Sequence, residues 1–198
     1  DTQKIASSNP DGVVVIDEAY VDFGGESAAG LIKKYDNLIV VRTFSKSRSL
    51  AGGRLGFAAA SEGIIADLNA LRFSTNPYNV DRLAMAAGIA SIEDGEYYRE
   101  KLDTVIENRE YTREKLGKLC FSVLPSKANF LFAKPPAYGS GEGTDAGRMF
   151  LELRERGVLV RYFDKPRLDS RLRITVGTDD EMDVLIKEIK EILAGSGE

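Results

Sequence analysis

Five side chains in the first part of the sequence are of the types needed to bind an aldehyde cofactor. Asp17 and Tyr20 follow one apolar run, Ser45 and Lys46 follow a second, and Arg54 comes eight residues after Lys46. An amine can capture an aldehyde, a carboxylate can pair with a protonated ring, and a guanidinium can bind a phosphate. The sequence therefore favours a cofactor that combines these three groups.

Lys46 is the candidate for the covalent step, as a Schiff-base lysine. A lysine amine condenses with an aldehyde only when it is unprotonated, and the hydroxyl of Ser45 and the cation of Arg54 favour that state. The alternative is a solvated loop lysine, which is the commoner role of a lone lysine. The Ser45-Lys46 pair after a buried strand, with Arg54 following Gly52 and Gly53, favours the chemical role.

Asp17, Tyr20 and Arg54 are candidates for holding the ring and the phosphate. A carboxylate at Asp17 would keep a pyridine nitrogen protonated, so that the ring can accept electrons, and Tyr20 could donate to the ring oxygen. Arg54 can bind a phosphate with two parallel hydrogen bonds, and the glycines before it let backbone amides approach. Two simpler roles stay open: Asp17 as the cap of a turn, and Arg54 as a surface arginine.

Arg161 and Arg173 are candidate substrate ligands in the second half of the chain. Each lies in a predicted strand among apolar residues, where an arginine needs an anion or must extend its charge to solvent. One interpretation is a clamp on a substrate phosphate or carboxylate. The other is a structural ion pair with one of the many acidic residues.

The pattern of apolar runs predicts an α/β fold. Continuous runs over 13–16 and 37–43 are typical of strands that are covered on both faces in a parallel sheet, and a third strand is expected over 54–60. Ligands bind at the carboxyl ends of such strands. Asp17 and Lys46 follow two of these ends, so the predicted fold brings them together.

The rest of the chain shows further helical and extended patterns. Helices are expected over 26–35, 62–72, 80–93, 95–118 and 144–156. Short strands are expected over 121–124, 129–133, 158–163 and 172–176. The segment from Thr178 to Glu181 is a capping box that opens a last helix. These later strands predict a small α/β sandwich with an antiparallel sheet.

The composition excludes several classes of function. The formal net charge of −4 does not favour nucleic acid as a partner, and the apolar runs are too short to span a membrane. The absence of histidine excludes Ser-His and Cys-His pairs within this chain and removes the commonest metal ligand, so no metal site is predicted. The single cysteine, Cys120, is expected to be a buried thiol in a reducing cytoplasm.

Together these residues resemble the fold type I pyridoxal-phosphate-dependent aminotransferases, and among them the histidinol-phosphate branch. The matching segments are 14–23, 43–56, 127–131, 160–163 and 172–178. The Asp-Glu-Ala-Tyr motif that starts at Asp17 and the Ser45-Lys46 pair are shared widely in this family. The segments 160–163 and 172–178 are more specific to the branch.

The resemblance implies a role for each candidate in the first part of the chain. Lys46 would bind pyridoxal 5'-phosphate as a Schiff base and carry a proton between the substrate Cα and the cofactor C4′. Asp17 would pair with the ring nitrogen and Tyr20 with the ring hydroxyl. Ser45 and Arg54 would hold the cofactor phosphate.

The resemblance also implies substrates and an assembly. Arg161 and Arg173 would bind the substrate phosphate, or the carboxylate of glutamate in the other half-reaction. The implied reaction moves an amino group between histidinol phosphate, a phosphorylated amine, and the 2-oxo acid 2-oxoglutarate, as a step of histidine synthesis in a cytoplasmic homodimer. A threonine-phosphate decarboxylase-like enzyme and a non-catalytic α/β fragment stay open as alternatives.

Members of this family are considerably longer than 198 residues, and the difference lies on the N-terminal side. We therefore expect an N-terminally truncated chain that is inactive by itself. The implied organisation is part of a large cofactor-binding domain over 1–105, with a mostly parallel sheet and helices. A small C-terminal α/β sandwich domain follows over 106–198.

Overall fold

A computed structural model describes residues 1–140 and 142–195 of the chain. The protein divides into two units, Asp1–Glu100 and Lys101–Glu198. The division lies near the boundary that the sequence predicts at 105. The assignment of a partial cofactor-binding domain and a small domain to these units remains a prediction.

The sheet of the first unit contains the three predicted strands. Strand β1 (Val14–Asp17) runs parallel to β2 (Leu38–Thr43), and β3 (Gly56–Ala59) pairs with β2 in the antiparallel sense. Their β-branched and apolar side chains favour the extended conformation. Because β1 and β2 are parallel and in register through their last residues, the segments that follow them leave the sheet at the same edge.

The prediction that β1 is covered on both faces is wrong. Val13 and Val15 are 59% and 56% exposed, whereas Val14 and Ile16 pack against a buried cluster. That cluster consists of Ala28, Leu38 and Val40. Since β1 is an edge strand of the sheet, its alternate side chains face the core on one side only.

Four helices begin in the first unit. They are α1 (Thr2–Ser8), α2 (Glu62–Thr75), α3 (Arg82–Glu93) and α4 (Gly95–Lys118), and α4 continues into the second unit. Within the described ranges, no helix combines the length and the apolar character that a bilayer crossing requires.

The helix predicted over 26–35 is wrong, because only a 3-10 turn forms there, over Ala29–Leu31. The Glu18 carboxylate accepts the Ala28 amide at 2.5 Å and the Ser27 hydroxyl at 2.9 Å. These contacts tie residues 27 and 28 to the end of β1.

The second unit is an antiparallel sheet packed against helices, as predicted. Its strands are β4 (Ser122–Val123), β5 (Phe130–Lys134), β6 (Arg161–Tyr162) and β7 (Leu172–Thr175), in the spatial order β4-β5-β7-β6. The helices α5 (Asp145–Glu155) and α6 (Asp179–Gly195) complete the unit. Buried members of the shared core include Leu131, Met149, Leu172, Leu185 and Ile189.

Two helix ends of the second unit test local predictions. The capping box of α6 is confirmed, since Glu181 Oε2 accepts the Thr178 amide at 2.8 Å and Thr178 Oγ1 accepts the Glu181 amide at 3.3 Å. The prediction of a buried thiol is wrong, since Cys120 is exposed. It follows α4 in the left-handed conformation (φ 63°), with its amide bonded to the Gly117 carbonyl, so the chain reverses at this residue.

Candidate active site

A cleft of about 420 Å³ lies where β1 and β2 end in the first unit. Asp17, Ser45, Lys46 and Arg54 all line it. The backbone reason is the parallel pairing of β1 with β2, because it brings the segments after the two strands to one edge of the sheet. Four of the five residues predicted to hold the cofactor therefore share one cavity.

Tyr20, the fifth of these residues, is not part of the cleft wall but lies beside Lys46. The Nζ atom of Lys46 is 5.5 Å from the centroid of the Tyr20 ring. This distance is within the range of a cation–π contact. The amine of the candidate Schiff-base lysine thus extends over the turn that follows β1.

Asp17 combines the two roles that its sequence position left open. Its Oδ1 accepts the Ala19 amide at 2.9 Å, as in an Asx turn. The residue is exposed and lines the cleft. The turn hydrogen bond therefore orients a carboxylate that stays accessible to a ligand.

The loop between β2 and β3 presents Lys46 and Arg54 to the cleft. The Phe44 amide donates to the Leu55 carbonyl at 3.0 Å, which closes the two ends of the loop. Arg54 has a left-handed backbone (φ 48°) and donates from Nη1 to the Ala51 carbonyl at 3.1 Å. Left-handed conformations of residues other than glycine cost free energy and cluster at functional sites.

Sequence reasoning missed a buried ion pair behind the cleft. Glu18 is only 6% exposed, and its Oε2 accepts from Arg42 Nε at 3.0 Å and Nη2 at 2.9 Å. Arg42 Nη1 also lies 3.4 Å from Asp22 Oδ1. The available signal was an arginine inside the apolar strand β2, since such a residue needs a partner when it is half-buried.

A second group of missed residues surrounds the segment after Lys46. The Ser47 hydroxyl donates to Asp22 Oδ2 at 2.5 Å, and the Arg48 guanidinium lies 4.0 Å from the Tyr98 ring centroid. Burial raises the pKa of Tyr98 above its ordinary value of 10.0, although its hydrogen bond with Ser47 opposes the shift. These contacts connect the lysine loop to the turn after β1 and to the first turn of α4.

The two predicted substrate arginines are neighbours in the sheet of the second unit. Arg161 of β6 and Arg173 of β7 are directly opposite in the antiparallel register. Their guanidinium carbons lie 5.3 Å and 5.2 Å from the ring centroids of Phe163 and Phe130, respectively. Arg173 Nε is buried and has no hydrogen-bond partner among the described residues.

This arrangement favours an anion over the structural ion pair that the sequence left open. Within residues 1–140 and 142–195, neither Arg161 nor Arg173 forms a salt bridge. Like charges that face each other across a strand pair are destabilising. A phosphate or carboxylate between the two guanidinium groups would remove this cost and satisfy the buried donor.

The comparisons with known proteins agree with the predicted fold and family. Residues 1–189 match the model of the family described as aminotransferase class I and II, and the chain belongs to this family. Its fold is that of the fold type I aminotransferases. It has a TM-score of 0.83 and 26% identity to a putative histidinol-phosphate aminotransferase from Erwinia carotovora atroseptica SCRI1043, covering 96% of this chain and 54% of that one.

Similarity in sequence is higher to a histidinol-phosphate aminotransferase of Acinetobacter baumannii (strain AB307-0294). The two are 51% identical over 189 residues, which cover 96% of this chain and 51% of that relative. The histidinol-phosphate aminotransferase of Sinorhizobium meliloti, solved with pyridoxal-5'-phosphate, has a TM-score of 0.81 and 24% identity, covering 98% of this chain and 53% of that one. The chain thus spans about half the length of these relatives.

Proposed function

We propose that the whole protein is a pyridoxal-phosphate-dependent aminotransferase that moves an amino group between histidinol phosphate and 2-oxoglutarate. The observation that carries the proposal is the cleft lined jointly by Lys46, Asp17 and Arg54. Membership of the aminotransferase family and 51% identity to a histidinol-phosphate aminotransferase support it.

The donor set of the cleft fits pyridoxal phosphate in chemical type. The cofactor has an aldehyde, a ring nitrogen and a phosphate, and it supplies a reactive carbonyl and an electron-accepting ring. Lys46 offers an amine, Asp17 a carboxylate and Arg54 a guanidinium, with the Ser45 hydroxyl on the same wall. Each group of the cofactor therefore has a residue of matching chemistry.

In this proposal each residue of the cleft has a separate task. Lys46 would bind the cofactor aldehyde and, once the substrate amine has displaced it, would carry a proton from the substrate Cα to the cofactor C4′. Asp17 keeps the ring nitrogen protonated, and Tyr20 donates to the ring hydroxyl. Ser45 and Arg54 hold the phosphate, so the ring stays fixed while Lys46 moves a proton.

The arginine pair of the second unit supports a substrate with an anionic group. Arg161 and Arg173 stand opposite each other without a carboxylate partner in the described part of the chain. They would bind the phosphate of histidinol phosphate in one half-reaction and a carboxylate of glutamate or 2-oxoglutarate in the other. Both ligands present oxygens that suit a bidentate guanidinium.

We further propose that the 198 residues do not turn over substrate by themselves, and that the whole protein is a cytoplasmic homodimer. Apolar side chains on the sheet of the first unit are half exposed, including Val15 at 56% and Phe57 at 50%. Uncovered apolar surface of this kind is typical of a surface that contacts another segment or subunit. The single cysteine fits a reducing compartment.

Absorbance spectroscopy tests the covalent role of Lys46. Adding pyridoxal phosphate to the whole protein should produce a visible absorbance band when an amine of the protein reacts with the cofactor aldehyde. Lys46→Ala should abolish the band, while Lys33→Ala, a matched loss of an exposed lysine, should leave it unchanged. A Lys46→Ala spectrum identical to that of the unmodified protein would refute the assignment.

Product analysis separates the proposal from threonine-phosphate decarboxylation, which would use the same lysine and a similar arginine pair. The protein is incubated with pyridoxal phosphate and either histidinol phosphate plus 2-oxoglutarate or threonine phosphate alone. Glutamate formation without carbon dioxide release supports amino transfer. Carbon dioxide release from threonine phosphate favours the alternative, and no turnover with a normal spectrum points to a different amine.

A further inference from the structure

The backbone around Lys46 is held on both sides by side chains. Before Lys46, the Ser45 amide donates to Thr43 Oγ1 at 3.1 Å. After it, the Ser47 hydroxyl donates to Asp22 Oδ2 at 2.5 Å. The first contact joins Ser45 to the end of β2 only two residues earlier, whereas the second reaches the turn that follows β1. The second contact is therefore the one that can fix the loop relative to the rest of the site.

Asp22 lies shortly after the two proposed ring ligands, Asp17 and Tyr20. It belongs to the 3-10 turn Val21–Phe23, which directly follows Tyr20. The other carboxylate oxygen of Asp22 lies 3.4 Å from Arg42 Nη1. A single carboxylate thus connects the lysine loop to the turn after β1 and to the interior of β2.

Tyr98 completes this cluster from the first turn of α4. Its ring lies 4.0 Å from the Arg48 guanidinium, and its phenol interacts electrostatically with Ser47 and Asp22. Arg48 in turn donates to the Ser91 carbonyl of α3. All three members of the cluster, Asp22, Ser47 and Tyr98, are half-buried, and none of them lines the cleft.

We propose that Asp22, Ser47 and Tyr98 are positioning residues that direct the Lys46 amine toward Tyr20 and Asp17. This inference rests on the proposed function, because it assigns the covalent role to Lys46. A lysine side chain has many rotamers, so its amine reaches one place reliably only when its backbone is fixed. The Asp22–Ser47 hydrogen bond supplies that restraint next to the lysine.

Rapid mixing of the whole apoprotein with pyridoxal phosphate tests this inference through the rate at which the visible band appears. Ser47→Ala removes a hydrogen bond to a charged group and should slow capture by about tenfold. Ser47→Thr keeps the hydroxyl and should restore most of the rate. Ser49→Ala is the matched control, since it makes the same change two residues further along and should capture at the unmodified rate.

A double-mutant cycle shows whether the partners act together. Asp22→Ala combined with Ser47→Ala should slow capture no more than the slower single variant, because both changes remove one interaction. Melting temperatures of the apoproteins, measured beside the rates, identify any variant that fails to fold. If Ser47→Ala does not fold, Tyr98→Phe decides, since it removes only the hydroxyl and should slow capture by about threefold.

The outcomes separate this inference from the proposed function. Capture by unmodified protein and by folded Ser47→Ala at equal rates would overturn the positioning role alone. Equal loss in Ser47→Ala and Ser49→Ala would also overturn it. No capture by unmodified protein would overturn the proposed function and this inference with it.

Discussion

The two units of the protein bury their apolar side chains to very different extents. Among the described residues of the second unit, one cluster contains 15 buried hydrophobic residues. The cluster under the sheet of the first unit contains three, and large side chains on its helices remain exposed. They include Leu71, Phe73, Leu83, Ile89 and Ile92, all more than half exposed. The second unit is therefore stabilised mainly by its core, and the first depends more on polar contacts.

This difference bears on how the two proposed sites are built. In the first unit, the Glu18–Arg42 pair and the Asp22–Ser47 bond connect the strand ends around the cleft. In the second unit, the sheet carries Arg161 opposite Arg173 on a well-packed core. A cofactor site maintained by polar contacts is sensitive to single polar substitutions. A substrate site on a packed sheet tolerates unfavourable charges because the core supplies the stability.

The largest expected effect comes from a cavity in the second core. Leu172 is fully buried, so Leu172→Ala should lower the free energy of unfolding of the 198-residue chain by about 2–5 kcal/mol. Leu83→Ala in the first unit is the matched control, because Leu83 is 84% exposed and should cost less than about 0.5 kcal/mol. Urea unfolding followed by circular dichroism measures both. Similar losses in the two variants would contradict the comparison.

Breaking the polar support of the first unit should have the next largest effect. Arg42→Met leaves the Glu18 carboxylate, whose side chain is 4% exposed, without its cation. We expect a loss of about 3 kcal/mol, since removal of one partner from a buried pair leaves an uncompensated charge.

The matched control for this substitution is Arg113→Met in the second unit. It breaks an ion pair with Glu110 whose side chains are 54% and 45% exposed. Such surface pairs contribute less than about 1 kcal/mol. Equal effects of Arg42→Met and Arg113→Met on urea unfolding would show that the first unit does not depend on its polar contacts.

Removal of one facing arginine should stabilise the second unit slightly. Arg161→Thr relieves the repulsion with Arg173 and should raise the free energy of unfolding by about 0.2–1 kcal/mol. Inorganic phosphate should raise the melting temperature of the unmodified chain more than that of the variant, because one ligand of the anion is lost. The proposed binding of an anion by Arg161 and Arg173 would be contradicted by two results together: a less stable Arg161→Thr chain, and a phosphate-induced rise in its melting temperature equal to that of the unmodified chain.

The smallest expected effect is a pH dependence at Tyr98. Burial raises its pKa in the folded protein above the ordinary value of 10.0. A group with a raised folded pKa stabilises the fold fully below its unfolded pKa, and this contribution is lost as the pH rises through the folded pKa. Between about pH 9 and about pH 11, unfolding free energy should fall slightly more in unmodified protein than in Tyr98→Phe, by less than about 1 kcal/mol. If the unfolding free energy fell equally with pH in the two proteins, the raised pKa of Tyr98 would be contradicted.

The sequence predicts the parts of this site that depend on local order. Asp17 and Lys46 could be placed together because each follows an apolar run, and parallel strands end at one edge. The Glu18–Arg42 pair could not be predicted, since 24 residues separate the partners and packing decides which acid meets which base. The same is true of Tyr98, which reaches Ser47 only through the fold.

Register and burial were the other features beyond sequence reasoning. The strands that carry Arg161 and Arg173 are recognisable as strands, but their pairing places the two arginines directly opposite each other only in one register. Cys120 has apolar neighbours in sequence, yet the chain reversal after α4 exposes it. Local composition does not determine such reversals.

Borohydride trapping tests the central claim most directly. The whole protein is mixed with pyridoxal phosphate and reduced, and its peptides are mapped by mass spectrometry. The account predicts a phosphopyridoxyl group on Lys46, with the exposed lysines Lys33 and Lys34 unmodified. A label spread over surface lysines, or one that leaves Lys46 unmodified, would contradict it.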